Sequence, residues 1–314
     1  VSGDTVRVGV IGVGYLGRLH AAKLAAMPGV RLAGVCDVDA VRGRAVAAEV
    51  NAPFFESREA LLREVDAVSI AVPTTAHGRV AMAALRAGVH ILVEKPLAAT
   101  LREGRAMVRE AERRGLVLQV GHLERFNPAV VAAASLVRKP RFIECHRLGP
   151  FAGRGVDVDV VLDLMIHDID LIRCFVGAPL RRVEAVGVPV VSRTVDIANA
   201  RLVFEGGCVA NVTASRVSAR RQRKIRIFQE DAYVAMDFVE RKIQVVRRNW
   251  PRGPDGPPEI VGEVHEAPEG DALYDELASF VACVRGGGTP RVTGADGLAA
   301  LETAARIVRA MGRR

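Results

Sequence analysis

Several things are scarce in this chain of 314 residues. Cysteine appears five times, as Cys36, Cys145, Cys174, Cys208 and Cys283, scattered and never as C-x-x-C. An odd, dispersed set disfavours both a disulfide framework and a structural zinc site, and it suits a reducing cytoplasm. No run of about 18 apolar residues exists, so no transmembrane helix is expected. The first residues, VSGDTVRVGVIG, lack a basic segment leading into an apolar stretch and a small-residue cleavage site. A secretory signal is therefore not expected, and the protein reads as cytoplasmic. Aromatics are few, with one Trp, three Tyr and ten Phe, whereas half of the residues are apolar, enough for a large core and for two domains. The net charge of +8 attracts anions, whether nucleic acid, lipid or a phosphorylated small molecule.

The first 122 residues alternate strand and helix signals. Apolar runs at 6–11, 31–36, 67–72, 89–93 and 116–120 read as buried strands. Helices are expected over 15–26, from Asp39 to about residue 50, from Ser57 to 63, over 76–87 with Gly88 beyond, and from the Thr100/Glu103 capping box to Gly115. Nearly all-apolar strands alternating with helices specify a doubly wound parallel sheet, with ligands beyond the carboxyl ends of its strands. After residue 123 the pattern changes. Helices over 127–137 and 163–175 are followed by closely spaced strands near 181–193, 198–205, 208–215, 224–229, 232–238 and 241–247, after a β-like run at 141–147. The expectation is a Rossmann-type domain over 1–122 and an α+β domain over 123–314 with a mainly antiparallel sheet. The Pro- and Gly-rich stretch 249–270, which holds the lone Trp250, reads as an exposed loop, with a lid or oligomer arm as the alternative. Two helices, about 271–285 and 295–311, close the chain.

Gly12-Val13-Gly14-Tyr15-Leu16-Gly17 matches G-x-G-x-x-G directly after a strand and at a helix start, which is the context that gives the motif meaning. Gly12 would make the turn, Gly14 would admit a pyrophosphate, and Gly17 would allow close helix packing, with the helix N-terminus facing the phosphates. Asp37, twenty residues after Gly17, would accept the adenosine ribose hydroxyls and favour NAD; Arg42 and Arg44 leave NADP as the alternative. Val72-Pro73-Thr74 ends another strand on the same edge. His77, in the next helix's first turn, faces either the cofactor or solvent. Glu94-Lys95-Pro96 places a lysine at the sheet's carboxyl edge, where it stabilises alkoxide charge or simply pairs with Glu94. Asp163 and His167, four apart on a helix, share a face; a carboxylate there orients an imidazole as general base, and Asp170 could replace it in that role. The competing readings are a structural histidine and half a metal site; with no further His/Cys cluster, no metal is expected. The six basic residues between Arg216 and Arg226 read as a sheet edge or oligomer surface rather than a nucleic-acid tract, because no aromatics interleave. Neither nucleic acid nor membrane is an expected partner.

VGVIGVGYLGRLH (8–20), AVPTTAHGRVAMAALRAGVHILVEKPLA (71–98), VGHLERFNPA (120–129), DLMIHDIDL (163–171) and GADGLAALETA (294–304) together resemble the Gfo/Idh/MocA family of NAD(P)-dependent sugar oxidoreductases. The resemblance implies a Rossmann domain and an α/β domain whose open sheet builds a homodimer or homotetramer. It makes Lys95 and His167 the catalytic pair, with Asp163 contacting the sugar, and adds Glu94, Lys95 and His122 to the NAD contacts of Gly12, Gly14, Tyr15, Leu16, Gly17, Asp37, Val72, Pro73, Thr74 and His77. Within the family, GHLERFNP (121–128) looks most like members that oxidise the C3 hydroxyl of UDP-N-acetylglucosamine and feed a partner aminotransferase in a lipid A type pathway. That implies a UDP-sugar held by Glu124, Arg125, Asn127, Arg147 and Arg154 together with Lys95, Asp163 and His167. Another sugar, a UDP-uronic acid or an inositol is the second enzyme reading; an NAD(H)-sensing protein is the non-enzyme one.

Overall fold

Six parallel strands form the first sheet of the computed structural model, which describes residues 5–151, 159–249 and 259–312. In chain order they are β1 (Val6–Ile11), β2 (Val30–Cys36), β3 (Phe54–Phe55), β4 (Ala67–Ile70), β5 (His90–Glu94) and β6 (Leu118–Gly121). Their order across the sheet is β3-β2-β1-β4-β5-β6. The order reverses between β1 and β4, the switch point where an open α/β sheet leaves a crevice. The helices α1 (Tyr15–Ala25), α2 (Ala40–Glu49), α3 (Arg58–Leu62), α4 (Thr74–Arg86) and α5 (Leu101–Arg114) connect these strands. Local chemistry sets their ends. The Asp39 carboxylate accepts the N–H groups of Val41 and Arg42, Ser57 caps α3, and Thr100 and Glu103 close a reciprocal capping box. Gly115 stops α5 at φ 65°, in the left-handed region that favours glycine.

Cα packing divides the chain into one unit of Val1–Phe126 with Asp271–Leu301 and a second of Asn127–Gly270 with Glu302–Arg314. The sequence alone suggests a single crossing at 122/123, with 271–301 in the second domain; here that segment groups with the first sheet. The reason is the apolar stripe of α8 (Ala272–Gly286): Leu277, Phe280, Val281 and Val284 share one core cluster with Val6, Val8, Val10, Leu24 and Leu92. The division falls inside α9 (Gly294–Met311).

The second unit is built on an eight-stranded sheet. Its strands are β7 (Phe142–Leu148), β8 (Leu180–Val188), β9 (Ile197–Phe204), β10 (Val209–Ser215), β11 (Gln222–Phe228), β12 (Ala232–Asp237), β13 (Lys242–Asn249) and β14 (Glu259–Glu266), ordered β14-β13-β12-β11-β7-β10-β9-β8. All pairings are antiparallel except β7 with β10. Two expectations change here. Residues 259–266 form an edge strand in register with β13 rather than a loop; Trp250 and residues 251–258 lie outside the described residues. The basic run is not a sheet edge, because β11 sits between β7 and β12. Two of its charges have close partners: Arg226 reaches Glu144 of β7 at 2.8 Å, and the buried Arg216 binds Asp196, in the loop before β9, at 2.9 Å.

Helix α6 (Pro128–Ala133) is capped by the Asn127 side-chain oxygen, which accepts the Ala129 N–H, and passes into a 3₁₀ turn, shorter than the helix expected over 127–137. The helix expected over 163–175 begins instead as a π turn, Val161–Met165, that runs into α7 (Ile166–Val176) and stops at Gly177. The Asp159 carboxylate accepts the N–H groups of Val161 and Leu162 at its start. Among the described residues no helix is long and apolar enough to cross a membrane.

Candidate active site

The carboxyl edge of the first sheet gathers the cofactor residues expected there. Gly12 has φ 85°, and a Cβ on it would lie 2.7 Å from a Val72 methyl and 2.8 Å from the Ala71 carbonyl. A Cβ on Gly17 would lie 1.8 Å from the Gly12 carbonyl, so only glycine lets α1 start so close to the turn. Gly14 has open space where its side chain would be, and α1 starts with no side-chain cap. The first-turn N–H groups of Tyr15, Leu16 and Gly17 thus have no capping side chain, and they stand at the positive end of the helix dipole. A pyrophosphate fits this turn.

Asp37 closes β2. Its carboxylate accepts the N–H groups of Val13 (2.8 Å) and Asp39 (2.9 Å) and the Arg42 guanidinium (2.6 and 3.2 Å). Burial alone would raise this carboxyl; Arg42 and the two N–H groups outweigh it and hold it below the usual carboxylate range. The negative charge suits ribose hydroxyls, and the exposed Val38 and Val41 beside it offer apolar surface.

At the other side of the switch point Val72 is half-buried, Pro73 is exposed, and α4 begins at Thr74 without a side-chain cap. His77 does not face solvent. It is buried, with Nδ1 2.9 Å from the Pro96 carbonyl and Nε2 2.9 Å from the Val72 carbonyl. Burial holds it below the ordinary histidine pKa, and a neutral ring donates to one of the two carbonyls. It ties the end of β4 to the segment after β5. Lys95, half-buried, follows β5 and precedes Pro96 through a cis peptide. Glu94 is more than a surface partner for Lys95. Its carboxylate lies 3.2 Å from His20 Nε2 and accepts the Lys95 N–H at 3.2 Å. His20 Nδ1 in turn meets the Ser69 hydroxyl at 2.7 Å. Burial would raise Glu94, but the His20 hydrogen bond and charge, followed by Lys95, hold it low. His122 is buried beyond β6. Glu124 and Arg125 lie on the 3₁₀ turn that follows, with Arg125 mostly buried 3.8 Å from Asp296.

The second unit carries the rest. Asp163 and His167 are both half-buried where the π turn becomes α7, whereas Asp168 and Asp170 are buried. The wide turn changes the angular step ahead of His167, so the simple i, i+4 face of an α-helix does not carry over unaltered. Arg147 binds Asp168 through two bonds of 2.9 and 3.0 Å inside the core, locking β7 to the start of α7. Arg147 is itself buried in this pair. Asn127 spends its side-chain oxygen on the Ala129 N–H. Arg154 lies outside the described residues. Among the described residues no cluster of His, Cys, Asp and Glu has the composition of a metal site.

Sequence reasoning missed His20, Ser69, Gln119 and Glu276, all fully buried polar groups of the first unit. A signal was present. His20 falls on the buried stripe Gly17, Ala21, Leu24 of α1, and Glu276 on the stripe Leu277, Phe280, Val281, Val284 of α8. A titratable residue on an apolar face marks a buried polar cluster.

A doubly wound sheet with this carboxyl edge defines a dinucleotide-binding domain of the Rossmann class, and the family it matches makes the chain an NAD-dependent oxidoreductase. It belongs to the Gfo/Idh/MocA family. Residues 6–122 match the model described as an oxidoreductase family with an NAD-binding Rossmann fold, and residues 143–235 match the family's C-terminal domain. The chain is 43% identical over 277 residues, 88% of each chain, to UDP-N-acetylglucosamine 3-dehydrogenase of Acidithiobacillus ferrooxidans. A solved structure of that enzyme superimposes with a TM-score of 0.91, covering 98% of this chain and 97% of its own at 40% identity. The NAD-dependent scyllo-inositol 2-dehydrogenase of Bacillus subtilis is 30% identical over 95% of this chain and 91% of its own.

Proposed function

We propose that this enzyme oxidises the C3 hydroxyl of UDP-N-acetylglucosamine to the 3-keto sugar nucleotide. The observation that carries the reading is the 43% identity over nearly nine-tenths of both chains to a 3-dehydrogenase of that substrate. NAD⁺, held by the Gly12–Gly17 turn and Asp37, supplies the hydride acceptor. His167 removes the hydroxyl proton as the C3 hydride departs, with Asp163 or Asp170 orienting the ring. Lys95 donates a hydrogen bond to the same oxygen and stabilises the charge that builds on it. Glu124, Arg125, Asn127 and Arg154 belong to the substrate side of this reading. Arg147 acts through Asp168 and the placement of α7. The open sheet of the second unit pairs copies into a homodimer or homotetramer in the cytoplasm, and an aminotransferase consumes the ketone.

The test is NADH absorbance on mixing the protein with NAD⁺ and UDP-N-acetylglucosamine, with an aminotransferase and amino donor to draw off the ketone. Lys95→Ala and His167→Ala each lower the rate by about 10²–10⁴. A flat trace with UDP-N-acetylglucosamine but turnover of scyllo-inositol would move the assignment to the inositol relatives.

A further inference from the structure

Glu276 is fully buried in α8, and neither of its carboxyl oxygens has a hydrogen-bond donor among the described residues. It sits in a set built by sheet register. Ser69 pairs with Leu92 and Leu92 with Gln119, so one row crosses β4, β5 and β6. Glu94 lies two residues beyond Leu92 on the same face, toward the carboxyl edge, with Gly121 opposite it. The missing side chain of Gly121 makes room for it, since a Cβ there would stand 3.1 Å from the Glu94 carboxyl atoms. Gln119 Nε2 donates to the Glu276 carbonyl at 2.9 Å and pins α8 over β6. His20 faces Glu94 from α1.

The two carboxyls are therefore unequal. Glu94 has His20 and the Lys95 N–H; Glu276 has no donor among the described residues and feels the Glu94 charge. An ionised, unsolvated carboxylate without donors beside a second negative charge is the costliest arrangement available, so the proton resides on Glu276. Burial pushes Glu276 well above the ordinary carboxyl value, and Glu94 pushes it further.

We propose that Glu94 and Glu276 hold one proton between them, charge on Glu94 and proton on Glu276, and that this pair makes binding of the oxidised cofactor, but not the reduced one, depend on pH. A dinucleotide held by Asp37 and the glycine turn would follow the carboxyl edge, and its nicotinamide half would come toward the β4–β5 side, where Glu94 ends its strand. The oxidised ring carries a positive charge and the reduced ring carries none. Loss of the Glu276 proton adds a negative charge to the cluster and favours the cation. By linkage, binding the cation draws that proton off. Glu276 is thus a positioning residue that acts through Glu94. The inference concerns the cofactor half alone and stands whichever sugar is the substrate.

Other ionisable groups stand on the elements that carry or flank this pair. They are His20 on α1, with Lys23 held by Asp271; His77 on α4; Lys95 after β5; His122, Glu124 and Arg125 after β6; and Asp275 on α8. The comparison must therefore isolate Glu276. Dissociation constants of NAD⁺ and NADH are measured by calorimetry or fluorescence from neutral to alkaline pH in the wild type and in Glu276→Gln. In the wild type, NAD⁺ affinity rises about three- to tenfold, which is half to one unit of pKa coupling, while NADH affinity changes little. In Glu276→Gln the NAD⁺ rise disappears. An equal rise in the variant, or an equal rise for NADH, overturns the proposal. A second measurement needs no variant. Calorimetry of the wild type in buffers of different ionisation enthalpy should show a fraction of a proton released on binding NAD⁺ and none on binding NADH; equal release for both overturns it.

Discussion

At the scale of single residues, the cofactor edge works by allotting charge. Asp37 is held ionised by Arg42, and Arg42 is occupied by Asp37. One substitution tests both halves of that statement. Asp37→Ala removes the acceptor for the ribose hydroxyls and releases the guanidinium for a 2′-phosphate. NAD affinity should fall about tenfold or more, and the preference for NAD over NADP should narrow or reverse, as read by cofactor titration; a charge-assisted bond contributes about 1.5–3 kcal/mol. The buried Arg147–Asp168 pair is the counterpart in the second unit, a charge fully spent on holding a helix in place.

At the scale of elements, the loop that follows β8 is fastened by one carboxylate. Asp196 accepts the N–H groups of Val190, Val191 and Ser192 at 2.7–2.8 Å, the Ser192 hydroxyl at 2.6 Å and Arg216 Nε at 2.9 Å. Val195 in this loop accepts the Val160 N–H, so the loop also holds the entry to the π turn that carries Asp163. Burial would raise Asp196, but these donors overwhelm it and hold it far below the usual carboxylate range. A depressed folded-state pKa stabilises the fold above the unfolded value of about 3.9, and that contribution is lost as pH falls toward the folded value. Asp196→Asn should therefore lose stability at neutral pH and show a shallower decline below about pH 4 than the wild type, measured as Tm against pH. Elements of this kind differ in how legible they are. The caps at Asp39, Ser57, Thr100 and Gly115 are written in short local codes, and the structure has each of them. The π turn has no such code, because a single wide turn uses the same apolar residues as the α-helix it enters. Strand β14 was hidden by the prolines and glycines before it, since its pairing with β13 is a tertiary fact. The alternation of basic and apolar residues in β11 signals one open face, and reading it as a sheet edge confused a face with a border.

At the scale of the whole chain, the first unit is discontinuous. Leu277, Phe280, Val281 and Val284 of α8 fill the core beside β1, although some 150 residues separate α8 from β6. Burying four such side chains contributes about 6–12 kcal/mol, as much as the net stability of an ordinary domain. A fragment ending at residue 126 should therefore lack a cooperative unfolding transition. The same fragment joined by a flexible linker to 271–301 should unfold cooperatively and bind NAD, as followed by circular dichroism and cofactor titration. The residues proposed for catalysis are divided in the same way: Lys95 belongs to the first unit and Asp163 and His167 to the second. They were legible as separate motifs, whereas Glu276 was not, because its importance depends on which strand α8 covers.

The late return of α8 also governs how the chain comes off the ribosome. The first sheet is complete once β6 has emerged, yet the helix that covers one end of its core is translated only after residues 127–270. At about 5–20 residues per second that interval lasts roughly 7–30 s. During it the apolar side chains of β1 and α1 that α8 covers in the folded unit have no α8 to cover them.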